Sequence, residues 1–459
     1  MPMQLPTATT DIFWQPERRY HFVAIGGIGM SALARILLAR GVRVSGSDRS
    51  DSPMLATLRA LGAEVHVGHA AAHVRAGDLV VLSDAIRPDN PEWRRARARG
   101  LPIIRRADLL GELTNRGRGV AVAGTHGKTT TSGMLACIFL AAELDPTCVL
   151  GGVLAPLGGN ARAGGPLTLV EACEAYNSFL DLRPEAAIVM NLEVDHLDFH
   201  GTPEHLFDSF RQFLRQVRGY AVLHGDDARL RAMTAIPPRA VTYGAGADNA
   251  YRYGDVREGA ETAFTLWRGA ARIGEIALRV PGLHNVSNAA GAAALALEWG
   301  VPVDAVARGL AAFPGMGRRF EVVGARGPAT VVDDYAHHPT EIRATLAAAR
   351  GRFSGRVIAI FQPHLFSRTR DLLDDFADAL GAADLALIAP IYPAREAPIP
   401  GVTHAALAAR IPGPAEALPF LDAAVARIAA LDPPLAPGDV ILTLGAGDVD
   451  RVARALADG

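Results

Sequence analysis

Short apolar runs alternate along the chain with stretches in which apolar residues recur at helical spacing. Residues 21–25 (His-Phe-Val-Ala-Ile) form an apolar run that ends in glycines, as a buried strand does. Met30, Leu33, Ala34, Leu37 and Leu38 then fall on one helical face. Residues 42–46 and 79–82 are the next strand candidates. Alternation of this kind predicts a parallel sheet with crossover helices. The rhythm restarts at residues 120–123, a strand followed by a Gly-rich turn and a helix from about Thr129, with further strands at 167–170 and 186–190. Residues 243–279 mix short β-prone pieces with Gly and polar residues, a pattern compatible with antiparallel strands, and an Ala-rich helix is predicted over 288–299. A third segment opens near Met316. It predicts strands at 330–332, 356–361 and 385–389 and helices at 339–350 and 369–380, with Pro339 suited to a first helical turn. Proline clusters at 390–400 and 433–437 are expected loops.

Composition narrows the class. At 459 residues the chain exceeds one ordinary core, so two or three domains are expected. Hydrophobic residues make up 49% and charged residues 20%, with a formal net charge of −2. That balance gives no reason to expect nucleic-acid binding, and substrate charge must be handled by local sites. Cys137, Cys148 and Cys173 form no CxxC pair, so neither a zinc knuckle nor a disulfide framework is suggested. The first twenty residues lack the apolar core of a signal peptide, and no run of about 18 apolar residues occurs. A cytoplasmic protein without membrane insertion is expected.

The strongest local signal is Gly124-Thr-His-Gly-Lys-Thr-Thr130, between a predicted strand and a predicted helix. Such a loop aims backbone N–H groups at phosphate oxygens, and the helix N-terminus adds favourable partial charge. Lys128 is expected on the β- and γ-phosphates of ATP and the Thr129 hydroxyl on Mg²⁺, while Gly127 lets the backbone approach closely. The loop departs from GxxxxGK[ST], which needs glycine where Val122 stands; this is the shorter GxxGKT form. Phosphoryl transfer also needs acidic or imidazole groups to complete a metal site. Candidates follow two later strands: Glu171 and Glu174 in Leu169-Val-Glu-Ala-Cys-Glu174, and Asp195 and His196 in Asn191-Leu-Glu-Val-Asp-His196. Ligands of an open parallel sheet gather at the carboxyl ends of its strands, so these groups should share one edge.

Taken in order, these segments resemble the Mur ligase family, and later ones extend the likeness over nearly the whole chain. Gly124 to Thr129 looks like its ATP loop, with Gly124, Thr125, His126, Gly127, Lys128, Thr129 and Thr130 as nucleotide contacts. Residues 171–179 look like its acidic motif and 191–196 its Asn…Asp-His motif. Gly282-Leu-His-Asn-Val-Ser-Asn288 resembles the segment that receives adenine, through His284, Asn285 and Asn288. Gly317-Arg-Arg-Phe-Glu321 and Asp333-Asp-Tyr-Ala-His-His-Pro-Thr340 resemble third-domain signatures and add Arg319 and Asp334 to the expected nucleotide contacts. The resemblance implies an α/β protein of three domains: a Rossmann-like UDP-sugar-binding domain (18–115), a central P-loop ATPase domain with a parallel sheet (116–314) and a C-terminal Rossmann-like domain (315–459). It implies Mg²⁺ on Thr129, Glu171 and His196, with Lys128, Glu174 and His196 in catalysis. It also implies phosphorylation of a carboxylate to an acyl phosphate, which an amine then attacks. His337 or His338 could take the proton of that amine, a role that sequence leaves open.

Within the family the likeness is to members that add L-alanine to UDP-N-acetylmuramate. Ala24-Ile-Gly-Gly-Ile-Gly-Met-Ser31 resembles their GIGGxGMS loop, with Ala24 in place of the first glycine. Gly26, Gly27, Gly29, Met30, Ser31, Asp48 and Ser83 are the expected substrate contacts, and His69 and Asn90 resemble other first-domain positions. Phe361-Gln-Pro-His-Leu-Phe-Ser-Arg-Thr-Arg-Asp371 resembles their FQPH…RTR segment and brings His364, Arg368 and Arg370 to the substrate phosphate or carboxylate, where an arginine fork binds oxyanions bidentately. Residues 392–399 match the same members. Cys173 stands where many relatives carry Asp, and Mg²⁺ prefers oxygen, so its thiol is not an expected ligand. The alternatives are a ligase that attaches a preformed tripeptide to the same sugar nucleotide, a nicotinamide-dependent dehydrogenase, and a non-catalytic nucleotide-binding regulator. A monomer or homodimer is expected.

Overall fold

A computed structural model describes residues 15–458 except positions 84, 196, 260 and 395. Three sheets organise it. In the first, five parallel strands lie in the order Glu64–Val67, Arg43–Asp48, Arg19–Val23, Leu79–Leu82, Ile103–Arg105. The central strand Arg19–Val23 is buried throughout, as expected where helices cover both faces of a parallel sheet. The strand order reverses between Arg19–Val23 and Leu79–Leu82, the kind of switch point at which such sheets open a ligand crevice.

The second sheet runs Gly159–Arg162, Thr147–Leu154, Leu167–Glu171, Arg118–Ala123, Ala186–Val189, Tyr220–His224, Ala240–Gly244, and continues into Tyr251–Arg257, Thr262–Arg268 and Ala271–Leu278. Its middle is parallel: Val122 pairs with Glu171, and Ala123 with Val189. Two residues join Thr262–Arg268 to Ala271–Leu278, too few for a crossover, so these strands are antiparallel, as the mixed composition of 243–279 suggested. The third sheet runs Glu321–Arg326, Ala329–Asp334, Val440–Leu444, Val357–Phe361, Leu385–Ile388, Ala415–Ala417; its first pair is antiparallel and the rest parallel.

Side chains of the third sheet alternate between two cores. Val332, Phe361 and Leu442 enter one cluster with Phe376 and Leu380, while their neighbours Val331, Ile360 and Ile441 enter another with Ile428 and Val452. This is the period of two that a strand covered on both faces requires. A single cluster joins the first two sheets, from Leu33 and Ile36 to Phe179, Phe210 and Phe213. By contact the chain divides into two compact units. Among the described residues one holds 15–252 with 267–273 and 289–310; the other holds 253–266, 274–288 and 311–458.

The helix expected over 369–380 is two, Phe366–Asp371 and Leu373–Leu380, broken at Leu372 (φ −119°, ψ 24°). The Ala-rich helix begins earlier than expected, at Leu283. Among the described residues no helix is long and apolar enough to cross a membrane.

Candidate functional site

In the first unit, three strand ends bring together the residues expected at a phosphate site. Strand Arg118–Ala123 runs into Gly124 (φ +129°), and Gly127 (φ +80°) caps helix Lys128–Ala141. Both angles are disfavoured for residues with a Cβ, and a Cβ on Gly124 would lie 3.1 Å from the Met190 backbone nitrogen. The loop is stitched to the next strand end. Asn191 Oδ1 accepts from His126 N at 2.8 Å and its Nδ2 donates to His126 O at 3.1 Å. Thr125 Oγ1 accepts from Glu193 N at 2.9 Å and donates to Glu193 O at 3.1 Å. No side chain caps the helix, which suits an N-terminus that serves an anion.

Lys128 and Glu174 are buried together. Lys128 Nζ donates to Gly124 O (2.6 Å), Thr125 O (2.9 Å) and both Glu174 oxygens (2.9 and 3.0 Å). Burial opposes the ammonium charge, but Glu174 and Glu171 outweigh it and hold the pKa above its ordinary value. Thr129 Oγ1 donates to Glu171 Oε2 at 2.9 Å, and Gly151 N donates to the same oxygen at 3.0 Å. A Cβ on Gly151 would fall 2.2 Å from that oxygen. A hydroxyl and a carboxylate oxygen set beside the phosphate loop are the hard donors that Mg²⁺ takes. Thr130 is buried in the same first helical turn. His196 lies outside the described residues. Burial pushes the Cys173 thiol up to about 11, so at neutral pH it is a thiol and neither a ligand nor a nucleophile.

The glycine-rich loop that follows strand Arg19–Val23, where the sugar nucleotide is expected, lies at the carboxyl edge of the first sheet. Ala24, in the place of glycine, still adopts φ +68°, a conformation that costs an L-residue about 1 kcal/mol. The Asp48 carboxylate accepts from Gly26 N (2.9 Å) and Arg49 N (2.7 Å), and a Cβ on Gly26 would meet it at 2.8 Å. Gly27 caps helix Ile28–Ala39 without a side-chain bond, and Met30 and Ser31 are buried in its first turns. Ser83 closes a turn by accepting from Ile86 N. Two residues here escaped the sequence reading. The Arg106 side chain runs beside Gly29, 3.2 Å from where a Cβ would stand. Asn160, fully buried on the hairpin of the second sheet, donates to Ile28 O (2.6 Å) and Ser31 Oγ (3.1 Å). Neither carries a motif; only the fold puts them there.

The second unit gathers its own group. His337 Nδ1 lies 3.0 Å from Tyr335 O and 3.2 Å from Glu341 Oε2. Facing two acceptors it must carry the proton, which leaves Nε2 as the basic nitrogen. His338 instead caps helix Pro339–Arg352, accepting from Thr340 N. The His364 ring stacks on Tyr392 (5.7 Å) and lies 6.3 Å from that of His337, and Arg368, buried, reaches His364 Nδ1 at 3.4 Å. Arg370 is not part of this group: it is exposed and bonds to Asp371 at 2.7 Å. Arg319 stands 5.0 Å above the Tyr335 ring, with Nη1 3.9 Å from Glu341. Asp334 accepts from Phe320 N (2.9 Å) and Ala336 N (2.8 Å); burial raises its pKa to about 6, against the pull of Arg319 and these bonds. Asn285 bonds to Pro281 O and Asn288 to Asn285, while His284 is exposed.

Comparison with known proteins matches three family descriptions in this order: Mur ligase family, catalytic domain over 19–118; Mur ligase middle domain over 122–296; and Mur ligase, glutamate ligase domain over 318–447. UDP-N-acetylmuramate–L-alanine ligase of Sorangium cellulosum is 46% identical over 96% of both chains. The crystal structure of UDP-N-acetylmuramate-alanine ligase from Thermotoga maritima superposes with a TM-score of 0.82 at 30% identity, covering 96% of this chain and 98% of that one. A murein peptide ligase from Psychrobacter arcticus gives 0.71 at 26%, covering 96% and 99%. With matched segments spanning nearly its whole length and the phosphate loop at the edge of the matched middle domain, the chain belongs to the Mur ligase family.

Proposed function

We propose that this ligase uses ATP to join L-alanine to the carboxylate of UDP-N-acetylmuramate, a step in making peptidoglycan precursors in the cytoplasm. The observation that carries this reading is the 46% identity, over 96% of both chains, to a ligase named for that reaction. The chemistry of the site supports it. A carboxylate resists attack by an amine because its leaving group would be oxide. Transfer of the γ-phosphoryl group makes an acyl phosphate; the amine adds to its carbonyl, and phosphate leaves. Lys128 stabilises charge on the moving phosphoryl group, within a loop held rigid by Asn191 and Thr125. Thr129 and Glu171 are the residues to hold Mg²⁺, which would neutralise phosphate charge, with His196 as the further ligand. Arg368 suits the substrate carboxylate or phosphate. His337 is a candidate base for the alanine ammonium through Nε2. His284, Asn285, Asn288, Arg319 and Asp334 are assigned to the nucleotide, and Gly26 to Ser31, Asp48, Ser83 and Arg106 to the UDP-sugar. The three domains are assigned to 18–115, 116–314 and 315–459.

A ligase that attaches a tripeptide to the same sugar nucleotide is the second reading. It is the less favoured, because the murein peptide ligase matches at a lower TM-score and identity. The test is phosphate release with ATP, Mg²⁺ and UDP-N-acetylmuramate, with product mass checked and L-alanine and L-Ala-γ-D-Glu-meso-diaminopimelate offered separately. Product with L-alanine alone is expected; product with the tripeptide alone would replace the first reading by the second.

A further inference from the structure

A polar cluster lies inside the first sheet's domain, beneath the strand ends that carry the sugar-nucleotide loop. At its centre is Glu92, fully buried, in the first turn of helix Pro91–Ala98. Its Oε2 is 2.5 Å from Ser47 Oγ and 3.3 Å from His69 Nδ1; its Oε1 is 2.7 Å from His73 Nδ1 and 3.3 Å from Ala70 N. Ser47 Oγ is in turn 2.8 Å from His69 Nδ1. Burial alone would raise the Glu92 carboxyl, but the groups turned on it, His21, Ser47 and His73, hold it down to about 2, so it is a carboxylate.

The protons in this cluster can be placed by elimination. An ionised carboxylate only accepts. Ser47 has one hydroxyl proton and must give it to Glu92. Its oxygen can then only accept from His69, so His69 carries its proton on Nδ1. In the neutral ring Nε2 is left as a bare acceptor. His69 follows strand Glu64–Val67 at the carboxyl edge of the sheet, and its side chain keeps 16% exposure although Nδ1 is taken up inside the cluster. Ser47 and Asp48 are adjacent on one strand, so their side chains leave opposite faces of it. Asp48, an acceptor on the Gly26 side, suits hydroxyl donors; His69 is left for a different donor of the ligand.

We propose that Glu92 is a positioning residue that sets base specificity: through Ser47 it locks His69 as the Nδ1–H tautomer, so that Nε2 accepts from the imide N3–H of uracil. Cytosine presents a lone pair at N3 and would meet the acceptor with an acceptor. This rests on the sugar-nucleotide reading of the first domain and adds the group within it that tells the bases apart.

The test measures binding of UDP, CDP and 3-methyl-UDP to the full-length wild type and to Glu92→Gln and His69→Phe, with KM for ATP as a control for folding. Wild type should prefer UDP to CDP and to 3-methyl-UDP by at least tenfold. Both variants should narrow that ratio about tenfold and raise KM for UDP-N-acetylmuramate, with KM for ATP unchanged. Independently of any variant, ¹⁵N spectra of the wild type should show His69 protonated on Nδ1. A UDP/CDP ratio that stays the same in both variants, or an Nε2–H tautomer, overturns the proposal while leaving the ligase reading intact. Failure of UDP to bind wild type at all overturns both.

Discussion

At the residue scale, the buried Lys128–Glu174 pair decides most. Lys128 Nζ bonds to its own loop carbonyls and to Glu174, so a nucleotide phosphate is expected to compete with these partners for its charge. Lys128→Ala is expected to lower kcat at least a hundredfold, as loss of a single preorganised charge in a dry site does. Near-normal turnover in a steady-state assay would remove the phosphate-site assignment. Glu171→Gln should move the Mg²⁺ titration of activity to higher concentration by tenfold or more, because one of two adjacent oxygen donors loses its charge; an unchanged titration would put the metal elsewhere. Asp334 gives a pH signature. Its pKa in the fold, about 6, lies above the ordinary 3.8, so ionising it costs stability. That cost is absent below about pH 4, grows through the interval, and is complete above pH 6. At about 1.4 kcal/mol per pKa unit, Asp334→Asn should gain up to about 3 kcal/mol on wild type between pH 4 and pH 7. Thermal unfolding midpoints of the two proteins at both pH values test this, and a variant that loses ground as pH rises refutes it.

At the scale of elements, the first turn of helix Ile28–Ala39 is tied down by a residue 129 to 132 positions away in the sequence. Its cap residue, Gly27, makes no side-chain bond, while Asn160 on the hairpin of the second sheet donates to Ile28 O and Ser31 Oγ. Asn160→Ala should therefore loosen the turn beside the glycine-rich loop proposed for the sugar nucleotide. KM for UDP-N-acetylmuramate is expected to rise about tenfold while KM for ATP stays within twofold, and initial-rate kinetics separate the two. Equal changes in both would mean that Asn160 serves general packing. The same hairpin supplies Gly151, whose missing Cβ makes room for Glu171. One hairpin thus supports both candidate sites within the first unit.

At the scale of the whole molecule, ATP bound only to the folded chain should add stability, by about 2.7 kcal/mol at one hundred times its Kd. The unfolding midpoint is expected to rise with ATP and Mg²⁺, to rise less with ATP and a chelator, and not to move in Lys128→Ala. A full shift in the presence of chelator would separate nucleotide binding from the metal.

Much of this protein is legible in the order of its residues. Strand–helix alternation predicts parallel sheets because a buried strand must be apolar along its length; the first sheet follows throughout, and the other two follow in their middles but carry antiparallel strands at an edge. Gly124, Gly127 and Lys128 declare a phosphate loop because few other residues can make that backbone and that charge, and the acidic and His-rich segments sit at strand ends as their spacing suggests. Hairpin Thr147–Leu154 with Gly159–Arg162 and strands such as Val440–Leu444 escaped, because a short apolar run carries no periodicity of its own and its register is set by the strands beside it. Arg106, Asn160, Glu341 and Glu92 were equally silent: a lone polar residue has no pattern, and its role exists only once the backbone brings its partners within hydrogen-bond reach. The chain by itself determined the family and pointed to the candidate phosphate loop, since both depend on local runs of residues. Tertiary structure alone decided which polar side chains face one another, with Arg370 turned aside to Asp371 and Asn160 turned in, because hydrogen bonds act over about 3 Å and sequence distance does not measure that.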